Sequence, residues 1–575
     1  MNATPQDVLR QTADGKSWFG AGWHMRVEGM HVLSLAGTQY EMGRQHGALL
    51  KAQVPEGPIA YFRDYVEKLL RNSGIGALSP VVWGVLRQTV GRVVARKLPD
   101  FARESIRGLA DGAGLPFADV MDGCIMPDTL MWIVARLIQA KRIGPAVQHR
   151  MALSLGCTTA IGWGSTTEDG RLLHARNLDY HGVESWPRST AVIFHQPDVG
   201  HRYVSASAAG VLMGGFTAMN DQGLTLTVHQ HMFTDGTRLG GTPIGVVGDR
   251  VMREASTLDE AEAILRQYTP IACWTYLITD GKTNEVLCYE ENPDHAAARR
   301  ISKDDNHFGY ANIYLDAQLG ATERTLYPSY WRHNMGRQMR ANALLQRSGN
   351  TPEDMARILG DEGSGDCRIR DSISMLMTVG SVVFRPQDGT LWVAKGEAPT
   401  SRNDFVPFSL AANGHAPEAG TLHPGAGGDP QRQAGFLAWR DAYLARVDHG
   451  ENAQARGHLA RACALQPNQP LYHFGAALLA LEAGEYATAE ASLTRALELG
   501  HPDAERLATF HLWRGRSRDL QGRRADARAD YERALAGPVD PAVQKAALKG
   551  RAKAWRTQQA KKVPLDFSFA DVVMP

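Results

Sequence analysis

Leu155-Gly156-Cys157-Thr158-Thr159-Ala160-Ile161-Gly162-Trp163, followed by Asp169-Gly-Arg-Leu-Leu-His-Ala-Arg176-Asn177-Leu178-Asp179, is the stretch on which the reading of this chain turns. A cysteine that opens an apolar, β-branched run is usually a buried structural residue. Its neighbour points elsewhere. Gly156 has no side chain to hinder attack of the Cys157 thiol on the carbonyl before it, and it tolerates the strained backbone such an attack needs. If the Gly156–Cys157 bond were cut, Cys157 would gain an α-amine with an ordinary pKa of about 7.7–8.0, beside a thiol near about 8.5. One residue would then hold both nucleophile and base.

Downstream of Cys157, short β-branched and aromatic segments alternate with turns. Thr158–Trp163, Ala191–His195, Leu224–Val228, Trp274–Thr279, Glu285–Glu290, Ser374–Arg385 and Thr390–Lys395 read as strands. Glu168-Asp-Gly170, Asn220-Asp-Gln-Gly223, Asp280-Gly281 and Gln387-Asp-Gly389 punctuate them, the spacing of hairpins and antiparallel sheet. Gly248 to Gln267 reads as helical, with a second amphipathic run starting at Ser256 and Leu258-Asp-Glu-Ala. Sheet with segregated helices gives an α+β class.

Upstream, residues 1–156 read as mostly helical, with helices at Tyr40–Leu50, Ile59–Leu70, Phe101–Ala110 and Leu130–Ile138. Gly112, Gly114 and Pro116 break the pattern. Val81 to Val94, interrupted by Arg87 and Arg92, reads as an amphipathic helix packed on the protein rather than on a membrane surface.

Residues 411–434, AANGHAPEAGTLHPGAGGDPQRQA, read as a linker. An internal repeat follows. Gly450, Gly484 and Gly522 hold one position; Ala455, Ala489 and Ala527 the next; then Leu459, Leu493 and Tyr531; then Ala462, Ala496 and Ala534. Small residues let paired helices approach, the large one fills the groove, and the glycine makes the turn. The pattern resembles the tetratricopeptide repeat (TPR), with Arg524 standing where an aromatic residue is usual. The basic run from Lys545 to Lys562 reads as a solvated helix face.

Composition bounds the function. The chain has 575 residues, 43% hydrophobic and 21% charged, with 62 basic against 61 acidic side chains. That excludes a fibre, a disordered chain and a small disulfide scaffold. A net charge of +1 gives no global reason to expect nucleic acid or an anionic membrane as partner. Six scattered cysteines without a CxxC pair suit a reducing compartment. No signal peptide and no apolar run of about 18 residues is read, so a cytoplasmic chain without a membrane span is expected. Phosphate-loop, HExxH, GxGxxG and GxSxG templates are missing from the sequence.

Several landmarks occur in order. Leu35-Ala-Gly-Thr-Gln-Tyr-Glu-Met-Gly-Arg-Gln-His-Gly47 is followed by Gly156-Cys157-Thr-Thr, then Arg176-Asn-Leu-Asp179. Gly215-Phe-Thr-Ala-Met-Asn220-Asp-Gln-Gly223-Leu, Tyr310-Ala-Asn312 and Asp366-Cys-Arg368 complete the series. Together, over residues 33 to 405, they resemble the cysteine-type N-terminal nucleophile (Ntn) hydrolases. The nearest resemblance is to the isopenicillin N acyltransferase (acyl-CoA:6-aminopenicillanic acid acyltransferase) group; bile salt hydrolases and acid ceramidase are more distant.

The resemblance implies an αββα sandwich and self-cleavage between Gly156 and Cys157. It implies a role for each matched residue. Cys157 is nucleophile and base, and Asp179 orients the α-ammonium or thiol. Arg176 lowers the thiol pKa. Asn312 donates to the oxyanion, a contribution of about 3–4 kcal/mol for such a donor. A second donor is left open between His229, Gln230 and a backbone N–H, where relatives place an Asn. Arg368 is expected behind the site or against substrate. Penicillin-type members can carry Gln where this chain has Arg176, and bile salt hydrolases carry Arg. His229 and His231 make a poor metal pair without a nearby carboxylate, so no metal and no cofactor is expected.

The expected organisation is a helical pro-segment (1–156), a catalytic domain (157–410), a linker (411–434), TPR-like repeats (435–562) and a tail (563–575). The expected activity is that of a self-processing amidohydrolase or acyltransferase on a small N-acyl amide. The alternatives are an acyl-CoA-dependent N-acyltransferase and an inactive Ntn scaffold whose repeats bind a protein or peptide.

Overall fold

A computed structural model of the chain describes residues 8–70, 76–140, 156–231, 234, 236–323, 328–363, 372–426 and 428–560. Four strands open it: β1 Arg10–Gln11, β2 Ser17–Phe19, β3 Gly22–Val27 and β4 Met30–Gly37. Helices follow at Gln39–Leu49, Pro58–Leu70, Asp100–Ala113 and Phe117–Gln139. Next come β5 Gly156–Gly164, β6 Gly170–Asp179, β7 Thr190–Pro197, β8 Tyr203–Ala208, β9 Thr217–Asn220 and β10 Leu224–Gln230. Helices Ile244–Glu254 and Leu258–Leu265 precede β11 Trp274–Asp280, β12 Glu285–Asn292, β13 His295–Ile301 and β14 His307–Ala311. Helices Pro328–Leu345 and Pro352–Leu359 then lead to β15 Thr378–Arg385, β16 Thr390–Ala394, β17 Phe405–Ser409 and β18 Gly414–His415.

The strands form two sheets. One runs β1-β2-β3-β4-β7-β8-β9-β10-β11-β12-β13, the other β14-β5-β6-β15-β16-β17-β18. Their inner faces share a core in which Val32, Val192 and Phe194 meet Val382, Phe384 and Phe408. Helices 39–49, 58–70, 100–113 and 117–139 cover the outer face of the first sheet. Helices 328–345 and 352–359 cover that of the second. The layers therefore run helix, sheet, sheet, helix, a mixed α+β arrangement. The period-2 pattern of β10 explains how one strand serves two layers. Leu224, Leu226 and Val228 join the helix-side core, while Thr225, Thr227 and His229 bond to groups on the second sheet.

The N-terminal segment departs from the helical reading of 1–156. β4 lies inside the first sheet, between β3 and β7, and pairs in parallel with β7. A strand buried on both faces shows neither alternation nor a helical period, so Met-His-Val-Leu-Ser-Leu-Ala-Gly carried no clear signal. Residues 10–37 thus contribute four strands to the first sheet. The Gly43-Arg-Gln-His-Gly47 part of the first landmark has a packing reason. Gly43 and Gly47 interlock with Gly108 and Gly112 of helix 100–113. A Cβ at Gly43 would lie 2.3 Å from the Ser105 carbonyl oxygen, and one at Gly108 2.1 Å from that of Tyr40. Only bare α-carbons let the two helices approach so closely.

The apolar stretch near Val81 is helical and packed on the protein, as read: helices 79–86 and 92–97 flank a π turn at 87–91, Val90 and Val94 are buried, and Val81 and Val85 are exposed. Two further readings change. The strand expected from Ser374 begins at Thr378, because the Thr378 hydroxyl accepts from the Met375 N–H and closes a turn there. The supposed linker is pinned to the second sheet: β18 pairs with β17, Leu422 bridges Phe405, and Trp392 Nε1 donates to the Gly420 carbonyl at 2.9 Å. Its glycines and prolines shape turns along the sheet, and helix Pro430–Tyr443 begins before residue 434.

Helices joined by turns make up the rest of the described residues, to 560: 430–443, 452–465, 470–483, 486–499, 504–520, 524–534, 541–552 and 557–560. Gly450, Gly484 and Gly522 all have left-handed φ values, of 72°, 83° and 76°. Ala455, Ala489, Ala527, Leu459, Leu493, Tyr531, Ala462, Ala496 and Ala534 are all buried.

Candidate active site

Cys157 is the second residue of β5, an inner strand flanked by β14 and β6. The register of those pairings brings three chain segments together. Gly156 lies opposite Asp179 and Thr159 opposite Arg176, while Ala311, next to Asn312, pairs with Thr158.

Arg176 Nη2 donates to Cys157 Sγ at 3.3 Å and to the Val228 carbonyl at 3.1 Å; its Nη1 donates to Thr217 Oγ1. The guanidinium is buried and spans the two sheets. Burial pushes the Cys157 thiol above its ordinary value; Arg176 opposes that rise, Asp179 adds to it, and Arg337 opposes it. The charge of Arg176 therefore favours the thiolate, and burial outweighs it.

Asn312 grips the other side of Cys157. Its Oδ1 accepts the Cys157 N–H at 2.7 Å, and its Nδ2 donates to the Gln230 carbonyl at 2.8 Å. A carboxamide nitrogen carries two N–H groups, so one more is available for an oxyanion. Asp179 Oδ1 accepts from the Thr378 hydroxyl at 2.6 Å. Its other oxygen has no hydrogen-bond partner among the described residues and lies 3.3 Å from where a Gly156 Cβ would sit. Burial raises the Asp179 carboxyl to about 6, against the pull of Arg337, Thr378 and Arg176.

The two candidates for a second donor separate. His229 faces the space between the sheets, where Nε2 bonds Thr159 Oγ1 at 2.9 Å and its ring meets Tyr310 edge-on. Burial, reinforced by Arg176, holds it neutral. Gln230, one residue on, faces the opposite way; it lines the cleft that holds Cys157, and its side-chain amide is buried with no hydrogen-bond partner among the described residues. Alternation along a strand sends the two side chains to opposite faces. Arg368 lies outside the described residues.

The sequence reading missed Arg337 and Asn334. Arg337 is fully buried and donates from Nη1 to the Cys157 carbonyl at 2.9 Å and to Thr158 Oγ1 at 2.8 Å. From Nη2 it reaches Asn334 Oδ1 at 2.7 Å and Asn312 Oδ1 at 3.3 Å. Asn334 Nδ2 in turn donates to the Asn312 carbonyl at 2.9 Å. The only local signal was an i, i+3 polar pair on one helix face.

Cys157, Gly156, Arg176 and Gln230 border a cleft of ≈ 910 Å³ including open solvent. Its walls are mainly apolar: Ile59, Phe62, Tyr180, Trp186, Phe216 and Trp274. Helices ahead of Cys157 supply Ile59 and Phe62, and the first landmark holds another wall in place. His46 Nε2 accepts the N–H of Gly210, a lining residue, at 3.0 Å. Burial keeps His46 neutral, at about 3.

The arrangement can support nucleophilic attack on a carbonyl. It has a thiol beside a cation, an amide holding the backbone nitrogen next to that thiol, a buried carboxyl at the bond preceding it, and an apolar cleft to receive a substrate. Among the described residues no helix is long and apolar enough to cross a membrane.

The solved N-terminal domain of stress-induced protein-1 (STI-1) from C. elegans is similar at 19% identity; the match covers 22% of this chain and all of that one, with a TM-score of 0.20. An uncharacterized protein of Archaeoglobus fulgidus is 27% identical over 262 residues, 45% of this chain and 42% of that protein. The chain thus spans less than half the length of that relative. Residues 165–399 match the family model described as Acyl-coenzyme A:6-aminopenicillanic acid acyl-transferase. The matched region contains Arg176, Asp179, Gln230 and Asn312, and Cys157 stands just ahead of it. The layered fold is consistent with an Ntn-like fold, and the match to an acyltransferase family supports an enzyme.

Proposed function

We propose that this chain is a cysteine Ntn enzyme that cleaves itself between Gly156 and Cys157 and then transfers an apolar acyl group from an N-acyl amide. The observation that carries the reading is the convergence on Cys157: Sγ 3.3 Å from Arg176, backbone nitrogen 2.7 Å from Asn312, and an apolar cleft alongside.

In self-cleavage the thiol attacks the Gly156 carbonyl carbon, the C–N bond to Cys157 breaks, and a thioester forms. Water then releases the Gly156 carboxylate and frees both the thiol and the α-amine. Asn312 Oδ1 already accepts from that nitrogen and would hold the new amine. In turnover the amine takes the thiol proton and the thiolate attacks the substrate carbonyl. The second N–H of Asn312 Nδ2 and the amide of Gln230 are the donors offered to the oxyanion. The leaving amine takes the proton back, and the acyl group remains as a thioester on Cys157.

Water or an amine can resolve that thioester. Hydrolysis needs only water; the acyltransferase name of the matching family favours an amine acceptor as the second reading. The apolar walls suit an aliphatic or aromatic acyl group. The C-terminal helices, with left-handed glycines at the turns and buried alanines at the seams, suit a TPR-like array.

The test is a denaturing gel with intact-mass analysis. Self-cleavage yields pieces of about 17 and about 46 kDa from the 62.8 kDa chain, with an N-terminal cysteine on the larger, and Cys157→Ala stays whole. A wild-type chain that never divides and never acquires an acyl mass from N-acyl amides sinks the proposal. Adding an amine acceptor to the acyl-enzyme distinguishes transfer from hydrolysis.

A further inference from the structure

We propose that Asp448 and His449, at the end of the first C-terminal helix, position the apolar wall of the acyl cleft, so that the helical third of the chain helps set which acyl groups the site accepts. The inference rests on reading the cleft beside Cys157 as the acyl pocket.

Helix 430–443 runs into a π turn at Leu444–Asp448, a distortion frequent at functional sites. The residues at and after its end reach two pocket-bearing elements. Asp448 Oδ1 accepts from the Tyr61 hydroxyl at 2.9 Å, 387 residues away in sequence. His449 Nε2 lies 3.3 Å from a Glu184 carboxylate oxygen. Tyr61 is on the helix that presents Ile59 and Phe62 to the cleft, and Glu184 stands two residues before Trp186, another wall.

The two elements close on each other over Gly182, whose φ is +84°. A Cβ there would lie 3.2 Å from Trp186 Cδ1 and 3.2 Å from Tyr61 Cδ1, so Tyr61 and Trp186 pack with only a glycine between them. Phe62 meets Tyr180 edge-on at 4.9 Å and Trp186 at 6.5 Å, which passes the placement of Tyr61 on to the cleft. Between the two contacts, Val183 is buried in one core with Tyr443, Trp439 and Met375, and Met375 lies against Gly156.

The contacts differ in strength. The Tyr61–Asp448 bond joins a partly buried phenol to a carboxylate, and desolvation together with Asp448 raises the Tyr61 hydroxyl well above its ordinary value. The His449–Glu184 pair is half-exposed and contributes little on its own. Asp448 is therefore the principal positioning residue.

The test uses the full chain and two readouts. The first is amide hydrogen exchange of residues 182–190. Tyr61→Phe and Asp448→Ala each raise it about tenfold, the loss of one hydrogen bond to a charged acceptor, and the double variant exchanges no faster than either single one. The second is the ratio of Cys157 labelling by a long-chain maleimide to that by N-methylmaleimide, which a change in global stability alone does not move. Asp448→Ala changes this ratio, and Asp448→Asn, which keeps an acceptor oxygen, restores both readouts. Arg456→Ala, which breaks a C-terminal surface pair with Glu485, changes neither.

Unchanged exchange in both single variants, or additive effects in the double one, would overturn the proposal. A Cys157 inert to both maleimides in the wild type refutes the functional reading instead, and the exchange data still decide the clamp.

Discussion

Replacing Arg176 with Gln tests the electrostatics of the site most directly. In the folded chain its Nη2 stands 3.3 Å from Cys157 Sγ. At that distance a unit charge interacts with a thiolate by about 5 kcal/mol at an effective dielectric of about 20, an upper bound. Opposite charges this close commonly shift a partner by about 1–3 pKa units. The alkylation rate of Cys157, measured below the pH where its thiol titrates, should therefore fall about 10- to 1000-fold in Arg176→Gln. The same change leaves the Val228 carbonyl and Thr217 hydroxyl without their donor, at a cost of about 1–3 kcal/mol each if no water replaces it. Arg176→Lys separates these effects, because it keeps the charge while losing the fork. The assay is iodoacetamide alkylation followed by mass spectrometry from pH 6 to 10, with a denaturant midpoint for each variant. If Arg176→Gln gives a rate profile superimposable on the wild type while remaining folded, the cation does not stabilise the thiolate and the reasoning fails.

Asn312→Ala removes the grip on the Cys157 nitrogen and the proposed oxyanion donor, so acyl-enzyme formation should slow about 10²- to 10³-fold in a stopped assay; a loss below threefold would exclude both roles. Asp179, held up to about 6, binds a proton in the folded chain at a pH where the unfolded chain has lost it. Stability should therefore fall as pH rises from about 4 to about 6, by no more than about 3 kcal/mol, and Asp179→Asn in a Cys157→Ala background should flatten that slope in urea titrations. Should self-cleavage need the Asp179 anion, its rate climbs about tenfold per pH unit up to about 6 and then levels, a step missing in Asp179→Asn. Arg337→Met leaves the Cys157 carbonyl, Thr158 and Asn334 without their donor, and urea unfolding should show a loss of about 3–5 kcal/mol. Gly108→Val drives a side chain into the Tyr40 carbonyl and should destabilise the fold by about 1–3 kcal/mol or more, with helix 39–49 the first to lose exchange protection.

What the sequence by itself determined is local chemistry and local period. Gly156-Cys157 marks the start of a strand, the turns at Gly170, Gly223 and Gly389 fall where Asp-Gly and Gln-Gly place them, and the repeat positions after Gly450 form the seams between helices. Arg176 and Asp179 were tied to Cys157 by the family resemblance, and the hairpin register of β5 with β6 sets Gly156 opposite Asp179 and Thr159 opposite Arg176. Tertiary structure decided the rest. β4 was hidden because a strand covered on both faces has no alternation to read. His229 and Gln230 were indistinguishable until β10 was set between two layers, which sends one side chain to the second sheet and the other to the cleft. Arg337 reaches the Cys157 carbonyl from a helix 180 residues away, and Asp448 reaches Tyr61 from a still more distant part of the chain. Such contacts depend on how layers stack, and stacking comes from summed burial over many residues rather than from the spacing of a few.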